Sequence, residues 1–198
     1  MIALSGSWTD PSAIGYPALF GGVLLGSLVP VVPTGAVVGA AAAIATTTAQ
    51  LSLPLVVLLA AVAALLGDLV TFGVARAGSG AALRWVARGQ TPERLASARV
   101  RFATRGWQLV VVGRLVPAGR IPVLLAAGAL DYPWRRLVPA AAVACLLWAV
   151  AYAALGIVSG GLFDNPLVAT LLAAVLVLAV GGLASLVATW LRLRRAGR

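Results

Sequence analysis

The sequence has no histidine, no lysine and a single cysteine, Cys145. Without histidine, the Ser–His pairs of hydrolases and histidine-based metal centres are excluded. One cysteine forms neither a disulfide within the chain nor a thiolate metal cluster, and we interpret Cys145 as a small packing residue. The sequence therefore predicts a protein that holds no metal, requires no cofactor and is not an enzyme.

Charged residues are scarce as well. Only 10% of the 198 residues are charged and 62% are hydrophobic, and the mean hydropathy is +1.04. A soluble domain carries about 25% charged residues, so we expect an all-α integral membrane protein with a single membrane domain over residues 1–198. Because apolar segments run through the whole chain, we expect no removable signal peptide.

The charges that are present are mostly of one sign. All 15 basic residues are arginines and only 5 residues are acidic, which gives a formal net charge of +10. In a membrane protein such an excess marks cytoplasmic segments rather than a nucleic-acid interface. The arginines concentrate in 76–105 and in the tail 191–198. We therefore place both segments on the cytoplasmic side of a multi-pass protein of the cell (plasma or inner) membrane, and expect basic helices near the headgroups in the first.

Three segments are long and apolar enough to cross a membrane as helices, which requires about 20 apolar residues. They are 54–75, 137–158 and 166–190. Positive charge follows each of the first and last segments, which is typical of spans that end at the cytoplasmic face. The sequence thus predicts three transmembrane helices.

Two further apolar segments, 16–50 and 107–131, are interrupted near their middle by prolines. The interrupting residues are Pro30, Pro33, Pro117 and Pro122. Each half is too short to span the hydrocarbon layer. We therefore predict two re-entrant hairpins, with an interrupted transmembrane helix as the alternative for each.

The two interrupted segments are similar to each other. The stretch LVPVVPTGAVVGAAA (28–42) and the stretch LVPAGRIPVLLAAGA (115–129) share a Leu-Val-Pro start, a second proline and a small-residue exit. With 76–105 in the cytoplasm, the first hairpin opens outward and the second inward. This favours an inverted repeat of two opposed hairpins, each followed by a transmembrane helix, plus a C-terminal transmembrane helix. Chance similarity in a chain of low diversity is the alternative.

Charges inside the predicted membrane segments are the candidate site. Arg114 and Arg120 flank the turn of the second hairpin, and Asp68 lies in the 54–75 span. A cation at the bilayer centre costs about 2.5–3.5 kcal/mol on insertion scales. The cost is offset by an Arg114–Asp68 pair with Arg120 extended to the interface, by free backbone carbonyls, or by an anionic ligand, since guanidinium groups bind phosphate with two hydrogen bonds.

Three other residues are secondary candidates. Gly119 would let backbone approach a headgroup closely, and Thr34 is the polar side chain at the turn of the first hairpin. Arg76, at the cytoplasmic end of its span, is expected to anchor the helix and contact headgroups. Together with Arg114, Arg120 and Asp68, these complete the predicted substrate-binding set.

The sequence motifs resemble those of the DedA family of membrane proteins. The matching residues are Gly67-Asp68, Phe72, Ala75-Arg76 and Gly78 for one motif; Gly113-Arg114, Pro117, Gly119-Arg120, Pro122 and Ala127-Gly128 for the second; and Pro133-Trp134 with Trp148 for the third. The resemblance covers about residues 20–160. It implies a lipid translocase (a flippase) that moves a lipid with an anionic phosphate headgroup, such as a polyprenyl phosphate or a phospholipid, between leaflets.

One departure from the family bears on energy coupling. Acids are usual around the prolines of the first hairpin, whereas this chain has Gly26 and Gly35 there. Whether their loss abolishes proton coupling stays open, as do lipid identity, transport direction, energy source and homo-oligomerisation. The alternative functions are a proton- or ion-coupled transporter of a small solute that uses Asp68, and a scaffold protein of the envelope.

Overall fold

The computed structural model of the protein describes residues 11–28, 33–47, 51–78, 80, 92–116 and 119–162. Within these residues all regular structure is helical, which confirms the all-α prediction for this part of the chain. The helices are α1 (Pro11–Leu28), α2 (Thr34–Thr47), α3 (Leu53–Ala77), α4 (Pro92–Leu115), α5 (Arg120–Ala129) and α6 (Trp134–Leu162). The predicted third span and the basic tail lie outside the described residues.

Helices α3 and α6 are the two described helices with the length and apolar composition of a membrane span. They contain the predicted spans 54–75 and 137–158 and extend both at each end. Helix α6 begins at Trp134, before the predicted start at 137. The carbonyl of Pro133 accepts hydrogen bonds from the N–H groups of Arg136 and Leu137, both at 3.0 Å, and so forms the first turn. A proline just before the first turn loses no helical hydrogen bond.

The first interrupted segment forms two helices that pack against each other, α1 and α2. Their apolar portions, Gly15–Leu28 and Thr34–Thr47, are each shorter than a membrane span. Two hydroxyl groups near the end of helix α2 donate to one carbonyl of the same helix: Thr46 donates to Ala43 at 3.0 Å, and Thr47 donates to it at 2.8 Å. The predicted pair of short helices is confirmed, and its re-entrant insertion stays a prediction.

The second interrupted segment forms another packed pair, α4 and α5. Helix α4 kinks at Arg105, whose backbone angles are φ −131° and ψ 26°. This residue separates the basic helix from the apolar segment predicted to begin at Trp107. Beyond a turn that includes Val116 and Gly119, α5 is only ten residues long.

The chain divides into two compact units. Among the described helices, the first unit contains α1, α2, α3 as far as Ala64 and α6 from Leu146. The second contains α3 from Leu65, α4, α5 and α6 as far as Cys145. The inverted relation between two opposed hairpins stays a prediction.

Close backbone approach defines the packing of the first unit. A Cβ atom on Gly35 would overlap the ring of Tyr152, and one on Gly39 would lie 3.7 Å from the Cα of Gly156. The glycines therefore bring α2 directly against α6. In the same unit, the amide of Ser52 donates a hydrogen bond of 2.7 Å to the hydroxyl of Tyr16.

The second unit has an aromatic and aliphatic core. Its buried members include Phe72, Phe102, Val110, Leu124, Tyr132 and Leu137. The ring of Phe72 packs edge-on against Trp134 with centroids 4.5 Å apart, and Phe102 packs similarly against Tyr132 at 5.9 Å. This core fixes the helices that carry the three predicted intramembrane charges.

Candidate functional site

Asp68 lies on the buried face of α3. Asp68, Phe72 and Ala75 follow one another at helical spacing and are 2%, 0% and 3% exposed, respectively. Val70 and Val74, on the opposite face, are 49% and 67% exposed. The carboxylate therefore shares the stripe that faces the core of the second unit.

The two arginines are brought together by the turn between α4 and α5. Arg114 lies in the last turn of α4, and Arg120 is the first residue of α5. The turn closes through the N–H of Gly119, which donates to the carbonyl of Val116 at 3.0 Å. A Cβ atom at Gly119 would lie only 2.7 Å from the carbonyl oxygen of Gly113, so the turn has no room for a side chain there.

Asp68, Arg114 and Arg120 form one buried ionic cluster. The Nη1 group of Arg114 donates a hydrogen bond to Oδ2 of Asp68. The Nε atom of Arg120 lies 3.1 Å from the other oxygen, Oδ1. Each carboxylate oxygen thus faces a different guanidinium group, and Asp68 bridges α4 and α5.

Burial differs between the two arginines. The side chain of Arg114 is 4% exposed and that of Asp68 is 3% exposed, whereas that of Arg120 is 18% exposed. Two guanidinium groups thus share the carboxylate of Asp68. Arg114 and Asp68 form the buried centre of the cluster, and Arg120 forms its accessible edge.

Cys145 is the residue that sequence reasoning missed at this site. Its Sγ atom donates to Oδ2 of Asp68 at 3.6 Å from α6, so a fourth position contacts the cluster. The residue was expected only to fill space. Because it lies within a continuous apolar run, no local sequence signal distinguishes it from its neighbours.

Arg76 lies eight residues beyond Asp68 on α3 and joins a different set of contacts. Its Nη1 group donates to the carbonyl of Tyr132 at 2.8 Å, and its Nη2 atom lies 3.7 Å from Oδ1 of Asp131. The guanidinium carbon is 5.9 Å from the centroid of the Phe72 ring. These contacts fasten the end of α3 to the turn before α6, and the expected anchoring of Arg76 at the membrane interface stays a prediction.

Gly119 and Thr34 are the two remaining residues of the predicted substrate-binding set. Glycine is required at position 119 because the backbone of Gly113 lies so close. The expected contact of Gly119 with a headgroup stays a prediction. Thr34 is the half-buried first residue of α2 and belongs to the first unit. Its membership of the binding set also stays a prediction.

Close helix crossing holds the cluster in place. A Cβ atom on Gly128 would lie 2.6 Å from Cβ of Ala75 and 2.9 Å from the carbonyl oxygen of Phe72. Helix α5 therefore approaches the backbone of α3 directly. In the part of the chain that the structure describes, no group of three or more His, Cys, Asp or Glu residues is arranged to hold a metal ion.

The chain matches a known protein family. The family model of the VTT domain matches residues 42–158, which is more than half of the chain and includes Asp68, Arg76, Arg114 and Arg120. No curated protein and no solved structure gives a significant match.

Proposed function

Since the chain belongs to the VTT domain family, the domain of the DedA membrane proteins, we propose that it is a membrane lipid translocase. Its substrate would be a lipid with a phosphate headgroup, a polyprenyl phosphate or a phospholipid, which it moves between leaflets. The observation that carries the proposal is the buried cluster in which Arg114 and Arg120 share the single carboxylate of Asp68. Guanidinium groups bind phosphate with two hydrogen bonds, so two of them placed together suit a phosphate headgroup.

The difference in burial suggests different roles for the two arginines. Arg114 is almost completely buried against Asp68, and breaking a buried ion pair by removing one partner costs about 3–5 kcal/mol. Arg120 is more exposed and contacts the carboxylate through Nε. In the proposed mechanism Arg114 keeps its pairing with Asp68, while Arg120 exchanges the carboxylate for the phosphate of the lipid.

This exchange keeps the arginine paired throughout. A guanidinium group that leaves a carboxylate without a new partner in a low-dielectric site would be strongly destabilised. A phosphate oxygen replaces the lost contact with one of similar geometry and greater charge. The lipid tails remain in the surrounding bilayer, so only the headgroup has to enter the protein.

The lengths of the helices support a site within the membrane. Helix α5 has ten residues, so it is about 15 Å long at a rise of 1.5 Å per residue. The hydrocarbon layer is about 30 Å thick. A hairpin whose second arm is α5 would bring Arg120, at the start of that arm, close to mid-membrane.

Orientation is part of the same proposal. We infer that the basic part of α4 and the C-terminal tail face the cytoplasm, because arginine-rich segments are retained on that side. The chain would act by binding and moving lipid, without catalysing a chemical step.

Coupled transport of a small solute is the second candidate function, with Asp68 as the carrier of a proton or ion. Both oxygens of Asp68 are already engaged by guanidinium groups. A proton or cation would have to displace these ion pairs. The geometry therefore favours a role for Asp68 in holding the arginines over a role as a carrier.

The proposal is tested by leaflet exchange of fluorescent lipids in proteoliposomes. A labelled polyprenyl phosphate and a labelled phospholipid are followed separately, with and without a proton gradient. We expect protein-dependent exchange of at least one of them, and we expect it to fall to the protein-free rate in Arg114→Gln and Arg120→Gln proteins.

The matched control is Arg101→Gln, which removes the same charge from an exposed position of α4. Exchange should persist in this variant. Absence of exchange for both lipids in the wild-type protein, or undiminished exchange in both cluster variants, would contradict the proposal.

A further inference from the structure

A groove with apolar and basic lining lies beside the kink of α4 in the second unit. Its volume is about 480 Å³, within the range of about 300–1,000 Å³ that is usual for ligand sites. Its walls come from α4 on one side and the start of α6 on the other. The lining includes Trp107, Val111, Arg135, Arg136, Pro139 and Val143.

The kink shapes this groove. Directly after Arg105, Gly106 allows Tyr132 to lie against the backbone of α4: a Cβ atom on Gly106 would be 2.7 Å from Cζ of the ring. Tyr132 is buried there and packs against Phe102. The groove therefore has a fixed aromatic floor.

The groove has an apolar wall and a positively charged edge. Its apolar wall includes exposed side chains, with Trp107 56% and Val143 52% exposed. Arg135 and Arg136 line the same groove and are also exposed. Among the described residues, the ion pairs are made by Arg76, Arg114 and Arg120, and neither Arg135 nor Arg136 takes part in one.

The charge of Arg136 acts on Tyr132, the aromatic floor of the groove. Burial raises the pKa of the Tyr132 hydroxyl, and the positive charge of Arg136 acts in the opposite direction. The arginine is thus close enough to act on groups in the groove. An anion at this edge would meet two guanidinium groups with capacity for further hydrogen bonds.

We propose that the groove is a binding site for an anionic phospholipid, with an acyl chain along Trp107, Val111 and Val143 and the headgroup phosphate on Arg135 and Arg136. A free anion would leave the apolar wall unused, and an uncharged lipid would leave the arginines unused. Tryptophan and arginine at the start of a span are typical of the bilayer interface, where headgroups lie.

This site is separate from the proposed transport site. Its lining contains none of Asp68, Arg114 and Arg120. The bound lipid would therefore be a resident that stabilises the kinked region, and its binding does not depend on lipid translocation. Binding and transport can accordingly be measured and contradicted independently.

The test uses the full-length protein in nanodiscs of phosphatidylcholine. Brominated phosphatidylglycerol or brominated phosphatidylcholine is titrated in, and quenching assigned to Trp107 is obtained by subtracting the signal of a Trp107→Phe protein. We expect half-maximal quenching at about thirtyfold lower mole fraction for the anionic lipid, since each of the two arginines contributes about 1 kcal/mol of attraction to anionic lipid near a membrane surface.

Two pairs of variants separate the headgroup and chain contributions. Arg135→Gln/Arg136→Gln should remove the preference, whereas Arg99→Gln/Arg101→Gln, with the same loss of charge on exposed α4 positions, should retain it. Val143→Phe should weaken quenching by filling the groove, whereas Val150→Phe, an exposed position on α6 outside it, should not.

Three outcomes would overturn the inference. They are equal quenching by the two lipids in the wild-type protein, a preference that survives in Arg135→Gln/Arg136→Gln, and protection of Trp107 from both lipids. The last would show that protein, such as a second copy of the chain, covers the groove instead of lipid.

Discussion

At the scale of single residues, the buried carboxylate of Asp68 pairs with two guanidinium groups. Both oxygens of Asp68 face guanidinium groups, and its side chain is 3% exposed. A charge buried to this extent is tolerated only when it is paired and hydrogen-bonded. Asp68 therefore stabilises the fold of the second unit in addition to any part in transport.

Asp68→Asn is expected to destabilise the protein strongly, because it leaves Arg114 and Arg120 buried without their counter-charge. The expected cost is about 3–5 kcal/mol, the range for breaking a buried ion pair. Thermal unfolding in detergent measures it as a lower transition temperature.

The matched control is Asp131→Asn. The side chain of Asp131 is 70% exposed, and its ion pair with Arg76 is long, at 3.7 Å. The loss of stability should therefore lie within about 1 kcal/mol. The backbone of Asp131 has φ 57°, a conformation that asparagine also tolerates. Equal transition temperatures for the two variants would contradict the role assigned to Asp68.

Part of this cluster could be predicted from the sequence. An Arg114–Asp68 pair was one of the expected solutions, because both residues fall within apolar segments where an unpaired charge is costly. The approach of Arg120 to the same carboxylate and the contact from Cys145 were not expected. Both depend on how the α4–α5 turn and α6 pack against α3, which no local pattern encodes.

At the scale of helices, glycine sets how closely neighbouring helices approach. In the second unit, Gly128 brings α5 onto α3 within van der Waals contact of Ala75 and Phe72. This crossing positions the start of α5, and with it Arg120, over the face of α3 that carries Asp68. The close packing at Gly128 therefore helps to hold Arg120 beside Asp68.

Gly128→Ala should loosen this crossing, because the new methyl group would lie 2.6 Å from Cβ of Ala75 and 2.9 Å from a backbone oxygen. Overpacking of this kind costs about 1–3 kcal/mol. The thermal transition of the purified protein is the measurement.

Gly21→Ala provides the comparison on α1, since nothing lies within 4 Å of its added Cβ atom. Alanine is the better helix former by about 1 kcal/mol, so this variant should be as stable as the wild type or more stable. A fall in transition temperature of the same size in both variants would contradict the account of the crossing.

The boundaries of the long helices were closely predicted, whereas several finer features were not. Charges and prolines mark the ends of α3 and α6 well, as Arg76 and Pro133 show. The kink at Arg105 falls where the basic and apolar segments were expected to join. Pro122, which was expected to interrupt the second segment, instead lies in the first turn of α5, where a proline is tolerated.

At the scale of the whole molecule, the proposed orientation has the arginine-rich segment facing the cytoplasm. The orientation is testable because Cys145, the single cysteine, is fully buried. An Arg99→Cys protein places a second thiol at an exposed position of α4. An impermeant maleimide should label it in inside-out vesicles and not in intact spheroplasts.

The wild-type protein serves as the control for reaction at Cys145 and should remain unlabelled in both preparations. Labelling of the Arg99→Cys protein in spheroplasts would place the basic helix outside and reverse the proposed orientation. Because charge distribution alone sets this expectation, the result does not depend on the substrate.

The central claim is that Arg120 accepts the phosphate headgroup while Arg114 stays paired with Asp68. Its most direct test is the initial rate of leaflet exchange of a phosphate-headgroup lipid in proteoliposomes that contain equal amounts of folded wild-type, Arg120→Gln or Arg101→Gln protein. The account predicts wild-type exchange for Arg101→Gln and a loss of at least about tenfold for Arg120→Gln, as expected when a charged hydrogen bond of about 1.5–3 kcal/mol is removed. Wild-type exchange by a folded Arg120→Gln protein would contradict it.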